Sequence, residues 1–209
     1  MIIPRHVKEY VSAVIDSPHE VEWSLQGFGM LRHYLTQDNV WRLHVWDDRY
    51  RVTDVTMIHN HPWNLDSMVL SGALVNHRYR VNYGLWPLHS SVPTHWETLI
   101  LAGEGARRDG HSKAVILVPK SPLFYVAGTT RNKYHQKWHE THCTDALNGT
   151  ITITHREFVN TDLDHAFSYA EHDREWVSAA PRIATFDEVS DILSHAAARM
   201  RLQGGLHGL

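Results

Sequence analysis

The chain of 209 residues has a single cysteine, Cys143, which excludes internal disulfides and any zinc or iron–sulfur site built on several thiolates. Long apolar runs are missing too. The longest aliphatic stretch is Ala114 to Val118, far short of the roughly 20 residues that cross a bilayer. The opening MIIPRHVKEY reaches charged residues before an apolar signal core can form, so a cytoplasmic protein with no membrane partner is expected. No excess of one charge sign appears: 20 Lys and Arg against 23 Asp and Glu leave a formal charge of -3. ArgArg at 107 and 108 sits in a glycine-rich loop beside Asp109, and no basic stripe exists, so no nucleic-acid partner is expected. No Pro/Gly/Ser-rich linker and no internal repeat divides the chain, which reads as one domain over residues 1–209. A composition 43% hydrophobic and 21% charged is that of a packed globular protein and argues against disorder or a coiled coil.

What the chain has in excess is histidine, 18 of them. Their placement depends on the secondary structure. Val7, Val11, Val14 and Ile15 have helical spacing after Pro4, and Ser17, Pro18 and Glu20 have the form of a capping box, so N-terminal helices are expected over 4–26. From Phe28 the pattern becomes that of strands. FGMLRHYL and VWRLHVW flank Asp38 and Asn39 as a hairpin, with Trp41, Leu43 and Val45 on one face and Arg42, His44 and Trp46 on the other. Asp47 and Asp48 read as a turn. Further strand-like runs follow, punctuated by Gly, Pro and Asn without alternating helices, up to TITITHREF near residue 158. This is the pattern of an antiparallel sandwich or barrel over about 28–158. The segment after Asn160 has no clear period. In the remaining extension, 159–204, the chain ends in a helix opened by a Thr185/Glu188 capping box, with Phe186, Val189, Ile192, Leu193, Ala196 and Met200 as its apolar stripe.

His59-Asn60-His61 is the sharpest local feature. In extended backbone, residues two apart project to the same side, so both imidazoles can reach one point and offer neutral nitrogen ligands to a divalent cation. Three histidines compete for a third ligand: His135, His139 and His142. Asn148-Gly149 reads as a two-residue hairpin turn. Pairing Leu147 with Thr150 then sets His142 opposite His155, on the face of Ile151 and Ile153, and His139 on the other face. His142 is therefore preferred. Glu140 and His155 share its face as possible second-shell, ligand or acid–base groups, or as interior polar residues that satisfy each other. Asp66 is a further possible ligand or second-shell carboxylate. Trp63 could line a pocket mouth, and His77 and Tyr79 share a strand face as possible pocket residues. WHETH does not match the HExxH metalloprotease helix, because His139 and His142 are three apart and His135 and His139 lack the glutamate. Cys143, on the strand face opposite His142, reads as a small packed residue.

HNHPWNLDSMVLSG, with His59, His61, Asp66 and Gly72, resembles the first motif of the cupin superfamily; aspartate replaces the usual glutamate and the glycine comes one position early. The stretch from Gly128 to Phe158 resembles its second motif loosely. The resemblance covers roughly residues 28–158 and is to the small single-domain members. It implies a mainly β fold, a double-stranded β-helix or cupin jelly roll flanked by N- and C-terminal α-helices, with a divalent metal in the barrel. Fe(II) is favoured, with Zn, Ni or Mn as alternatives. It also implies a homodimer and a small-molecule substrate or ligand. The expected activity is that of an Fe(II) oxygenase-like enzyme. The alternatives are a metal-dependent isomerase or hydrolase with Glu140 or His155 as base, or a non-catalytic module that binds a metal or small molecule.

Overall fold

The computed structural model describes residues 1–52, 57–61, 63–83, 93–100, 112–133, 140–157, 166–171, 181–207 and 209. Helix α1 (Arg5–Asp16) starts after Pro4 and buries Val7, Val11 and Val14, as their spacing requires. The second helix expected up to residue 26 is absent. One 3-10 turn, Pro18–Glu20, is followed by extended backbone at Val21 and by strand β1 (Ser24–Gln26). Ser17 makes no side-chain cap. Trp23 is buried instead, and its indole donates to the Pro18 carbonyl at 2.9 Å, closing the turn before a helix can propagate.

Strands β2 (Phe28–Tyr34) and β3 (Trp41–Arg51) form the expected hairpin, with Asn39 at φ 59° and Asp38 accepting from the Val40 amide. Asp47 and Asp48 lie inside β3 rather than in a turn. The chain continues through β4 (Ile58–His59), β5 (Asn64–Ser71), β6 (Ala73–Asn82), β7 (His95–Ile100), β8 (Lys113–Val126) and β9 (Thr130–Lys133). It ends with β10 (Glu140–Ala146), β11 (Thr150–Glu157), β12 (Ala166–Glu171), β13 (Arg182–Ile183) and α2 (Phe186–Leu202). One sheet has the order β13-β1-β2-β3-β11-β5-β9; the other closes on itself as β10-β4-β12-β7-β8-β6. Among the described residues the molecule is mainly β, with a closed antiparallel barrel and two α-helices. β12 lies beyond the 28–158 limit read from the sequence and pairs with both β4 and β7, so the segment after Asn160 helps to close the barrel.

The open sheet has two unlike faces. Leu31, Trp41, Leu43, Val45, Met68, Leu70, Ile151 and Ile153 form one core with the apolar stripes of α1 and α2. The opposite face carries Arg42, His44, Ser67, Thr152, Thr154 and Arg156, which are also buried. Phe186, expected in the apolar stripe of α2, is exposed and stacks on His19.

The LNGT turn exists, but its flanking strands separate. β10 joins β6 and β4 in the barrel, whereas β11 lies between β3 and β5 in the open sheet. The Leu147 amide donates to Ala73 and the Gly149 amide to Trp46, so the turn carries the chain from one sheet to the other. β5 and β6 cross at Gly72, where φ is +88° and an added Cβ would lie 2.3 Å from Thr150 Oγ1. That hydroxyl donates to the Ala73 carbonyl and accepts from its amide, joining the two crossings.

Gly72→Ala is expected to cost at least about 1–3 kcal/mol from backbone strain alone, read as a lower denaturant midpoint. At α2, Thr185 and Glu188 form the expected capping box and Arg182 pairs with Glu188, holding that carboxyl down at about 2. Because the folded-state value is depressed, this stabilisation is present above the ordinary value of 4.5 and is lost as pH falls toward 2. Glu188→Gln should flatten that part of the stability–pH curve between pH 4.5 and 2, measured by thermal unfolding.

Candidate metal centre

β4 contributes His59, and the backbone continues through Asn60 to His61. Asn60 projects to the opposite side and is buried; its amide nitrogen donates to Tyr169 Oη and its side-chain oxygen accepts from the Phe167 amide at 2.7 Å. The Asn60 backbone N–H donates to the Phe167 carbonyl at 3.0 Å. Tyr169 in turn donates to the buried Glu97 carboxylate, which also accepts from Tyr83. Asn60 thus pins the segment between the two histidines to β12. In the sequence it read only as a turn residue.

β10 runs antiparallel to β4 with His142 directly opposite His59, a pairing that sets both side chains on one face. The ring centroids of His59 and His61 are 4.8 Å apart, those of His59 and His142 5.2 Å, and those of His61 and His142 5.3 Å. One ring nitrogen from each lies within 4.8 Å of the other two. His59 Nδ1 is 2.9 Å from the Met57 carbonyl, which only accepts, so Nδ1 carries the proton and Nε2 presents its lone pair. Phe28 stacks on His59 at 5.1 Å and Trp63 on His61 at 5.5 Å, fixing both ring planes from outside.

This donor set fits a divalent transition metal. Metal–nitrogen bonds of about 2.0–2.1 Å place tetrahedral ligand atoms about 3.3 Å apart, so loading requires only a small inward shift of the rings. No fourth His, Cys, Asp or Glu among the described residues joins the group. Three protein ligands leave coordination positions open.

The other residues singled out in the sequence lie elsewhere. Asp66 pairs across the strands with His155, and His155 with Trp41, a member of the helix-covered core. Strand alternation therefore turns Asp66 and His155 to the face opposite Arg42, Thr154 and Arg156, away from Trp63 and the histidines. Neither is a ligand in this arrangement. Glu140 shares the His142 face, but its carboxylate is paired with Lys120. His142 stands opposite Arg78 rather than His155, because β10 and β11 do not pair. His77 and Tyr79 lie opposite Cys143 and Thr141, on the other face of β10 from His142. Tyr79 packs on the Val81, Val115, Leu117 and Tyr169 cluster, where burial and the neighbouring Cys143 thiol push its hydroxyl up to about 12. Trp63 does border the centre. His135 and His139 fall outside the described residues.

Several residues near the centre carried no sequence signal. Ser168, opposite His59 on β12, is 3% exposed and its hydroxyl has no hydrogen-bond partner among the described residues. Arg42 Nε, Thr154 Oγ1 and Asn76 Oδ1 are likewise buried without a partner. These polar residue types look like ordinary strand positions until both sheets are assembled. A second group, Asp47, Asp191 and His195, also has ligand-like spacing. Arg49 already occupies it: its guanidinium spans both oxygens of Asp47, contacts Asp191 at 2.8 Å and donates to His195 Nδ1 at 2.6 Å. That network docks α2 on β3.

No protein-family model, no curated protein and no solved structure matches the chain. The chemistry of the histidine group and the strand order around it therefore carry the functional reading. Asn60→Ala keeps all three imidazoles but removes their anchor, so cobalt or zinc affinity should fall about 10- to 100-fold, measured by competition with a chromophoric chelator. Asp66→Asn should leave that affinity unchanged.

Proposed function

We propose that the chain is a cupin-type jelly-roll protein that binds one divalent metal through His59, His61 and His142 and acts on a small molecule as an Fe(II) oxygenase-like enzyme. The observation that carries this reading is the convergence of three imidazoles from β4, the segment after it and β10, with one tautomer set by a backbone carbonyl.

The topology supports it. β3, β11, β5 and β9 are neighbours in that order in one sheet, while β4, β10, β6 and β8 are linked in that order by pairing in the other. Successive strands cross between the two sets except at β6 and β8, which pair within one, the interleaving of two Greek keys expected of a jelly roll. β7 and β12 are additions that close the second set.

A bound divalent ion would supply Lewis acidity or one-electron chemistry at its open positions. The chain supplies the rest. Met57 and Asn60 orient the first two ligands, Phe28 and Trp63 wall the site against bulk water, and the Ser168 and Thr154 hydroxyls retain capacity to hydrogen-bond a polar guest. The isomerase or hydrolase alternative has less support, since Glu140 is paired with Lys120 and His155 lies on the helix-covered face.

Protein prepared without an affinity tag should bind about one Fe(II) or Co(II) per chain. His59→Ala, His61→Ala and His142→Ala should each weaken binding beyond the roughly 10- to 100-fold typical of outer-shell changes. Oxygen uptake by the Fe(II) form with a panel of small acids, thiols and phenols should exceed that of the histidine variants. Undiminished metal binding in those variants would overturn the site, and binding without oxygen uptake would favour the non-catalytic module.

A further inference from the structure

Arg42 lies on β3, on the buried polar face of the open sheet, and is 9% exposed. Among the described residues its side chain forms no hydrogen bond or ion pair, and Nε is buried without an acceptor. Its contacts are aromatic: the guanidinium carbon lies 5.0 Å from the Tyr34 ring centroid and 5.5 Å from that of Trp63. Arg156, on β11, reaches the same indole at 4.8 Å and also donates to the Asn39 carbonyl. Arg32 faces Tyr34 at 4.9 Å and is linked to Ser24. Three guanidinium groups thus share two aromatic rings. Among the described residues, Asp38 acts electrostatically on Arg156 and not on Arg42. Across the strands, Arg42 faces Thr154, whose hydroxyl is also buried and unpartnered.

A guanidinium does not escape burial by losing its proton under ordinary conditions, so a buried one needs acceptors. Burial and the two neighbouring arginines nevertheless depress Arg42 to about 9, a measure of how poorly its charge is compensated. The missing element is an acceptor, and the planar fork of donors matches a carboxylate or phosphate oxygen pair. Trp63 sets the location, because the same indole stacks on His61 at 5.5 Å.

We propose that Arg42, supported by Arg156 and Thr154 around Trp63, is an oxyanion subsite of the histidine centre, which makes the guest a small molecule bearing a carboxylate or phosphate. This rests on the reading of His59, His61 and His142 as the place where the rest of that molecule binds. The arginine positions the guest; it is not assigned a chemical step.

The test uses full-length protein stripped of metal and desalted, so that the histidine ligands play no part. Acetate and inorganic phosphate are titrated separately against chloride at constant ionic strength, reading the Arg42 Nε–Hε resonance by NMR and the thermal midpoint. At least one anion should shift both readouts, and the effective one identifies carboxylate or phosphate. Arg42→Gln should weaken that binding about ten- to hundredfold, while its metal stoichiometry stays that of the wild type. Arg42→Lys, which keeps the charge but not the fork, should fall between them. If neither anion moves the Arg42 resonance, or if Arg42→Gln responds like the wild type, the subsite is wrong. Metal binding without an anion response removes the subsite and leaves the histidine centre; an anion response without metal binding does the reverse.

Discussion

The functional reading depends on one register, the antiparallel pairing that sets His142 of β10 opposite His59 of β4. Side chains alternate along a strand, so a slip of one residue would bring Cys143 or Thr141 to that position and turn the third imidazole to the other face. Two features hold the register. β10 is paired along its whole length with β6, from Glu140 opposite Arg80 to Ala146 opposite Leu74. β4, only two residues long, is held from its other side by β12 and by the Asn60 anchor. A two-residue strand bearing one ligand, with the second ligand two residues further on, is thus positioned by its neighbours rather than by its own propensity.

The sequence was most legible where one periodicity acted alone. The valine stripe of α1, the capping box of α2 and the two faces of β3 follow from local spacing, and each is present. Gly72 and Gly149 are both at positive φ at the crossings between the sheets. Legibility failed where distant contacts decided the outcome. Asn148-Gly149 is a genuine turn, but whether its flanking strands pair depends on β3, β5 and β6, which compete for them. The preference for His142 therefore rested on a pairing with β11 that does not exist; what brings His142 to His59 and His61 is the pairing of β10 with β4. Asp66 fitted the motif by spacing and failed by parity, because it shares a face with His155 and Trp41. Arg42 and Ser168 could not be singled out, since a polar residue in a strand ordinarily signals solvent.

That last point describes the interior as a whole. The helix-covered side of the open sheet is an ordinary apolar core, and it supplies the stability. The opposite side buries arginine, histidine, serine and threonine, groups whose desolvation costs free energy unless hydrogen bonds replace water. Retaining both the histidine group and partnerless hydroxyls there makes sense if the interior is a binding chamber. The same contrast separates the two ligand-like clusters: Asp47, Asp191 and His195 are bridged by Arg49, whereas the three imidazoles converge with the spacing of metal ligands.

X-ray absorption at the metal edge of the loaded protein tests this account most directly. It should give a first shell of nitrogen and oxygen only, with the outer-shell scattering of three imidazoles, reduced to two in the His142→Ala protein. A spectrum unchanged by that substitution, or one fitted by sulfur or by fewer imidazoles in the wild type, would contradict a centre built from β4 and β10 together.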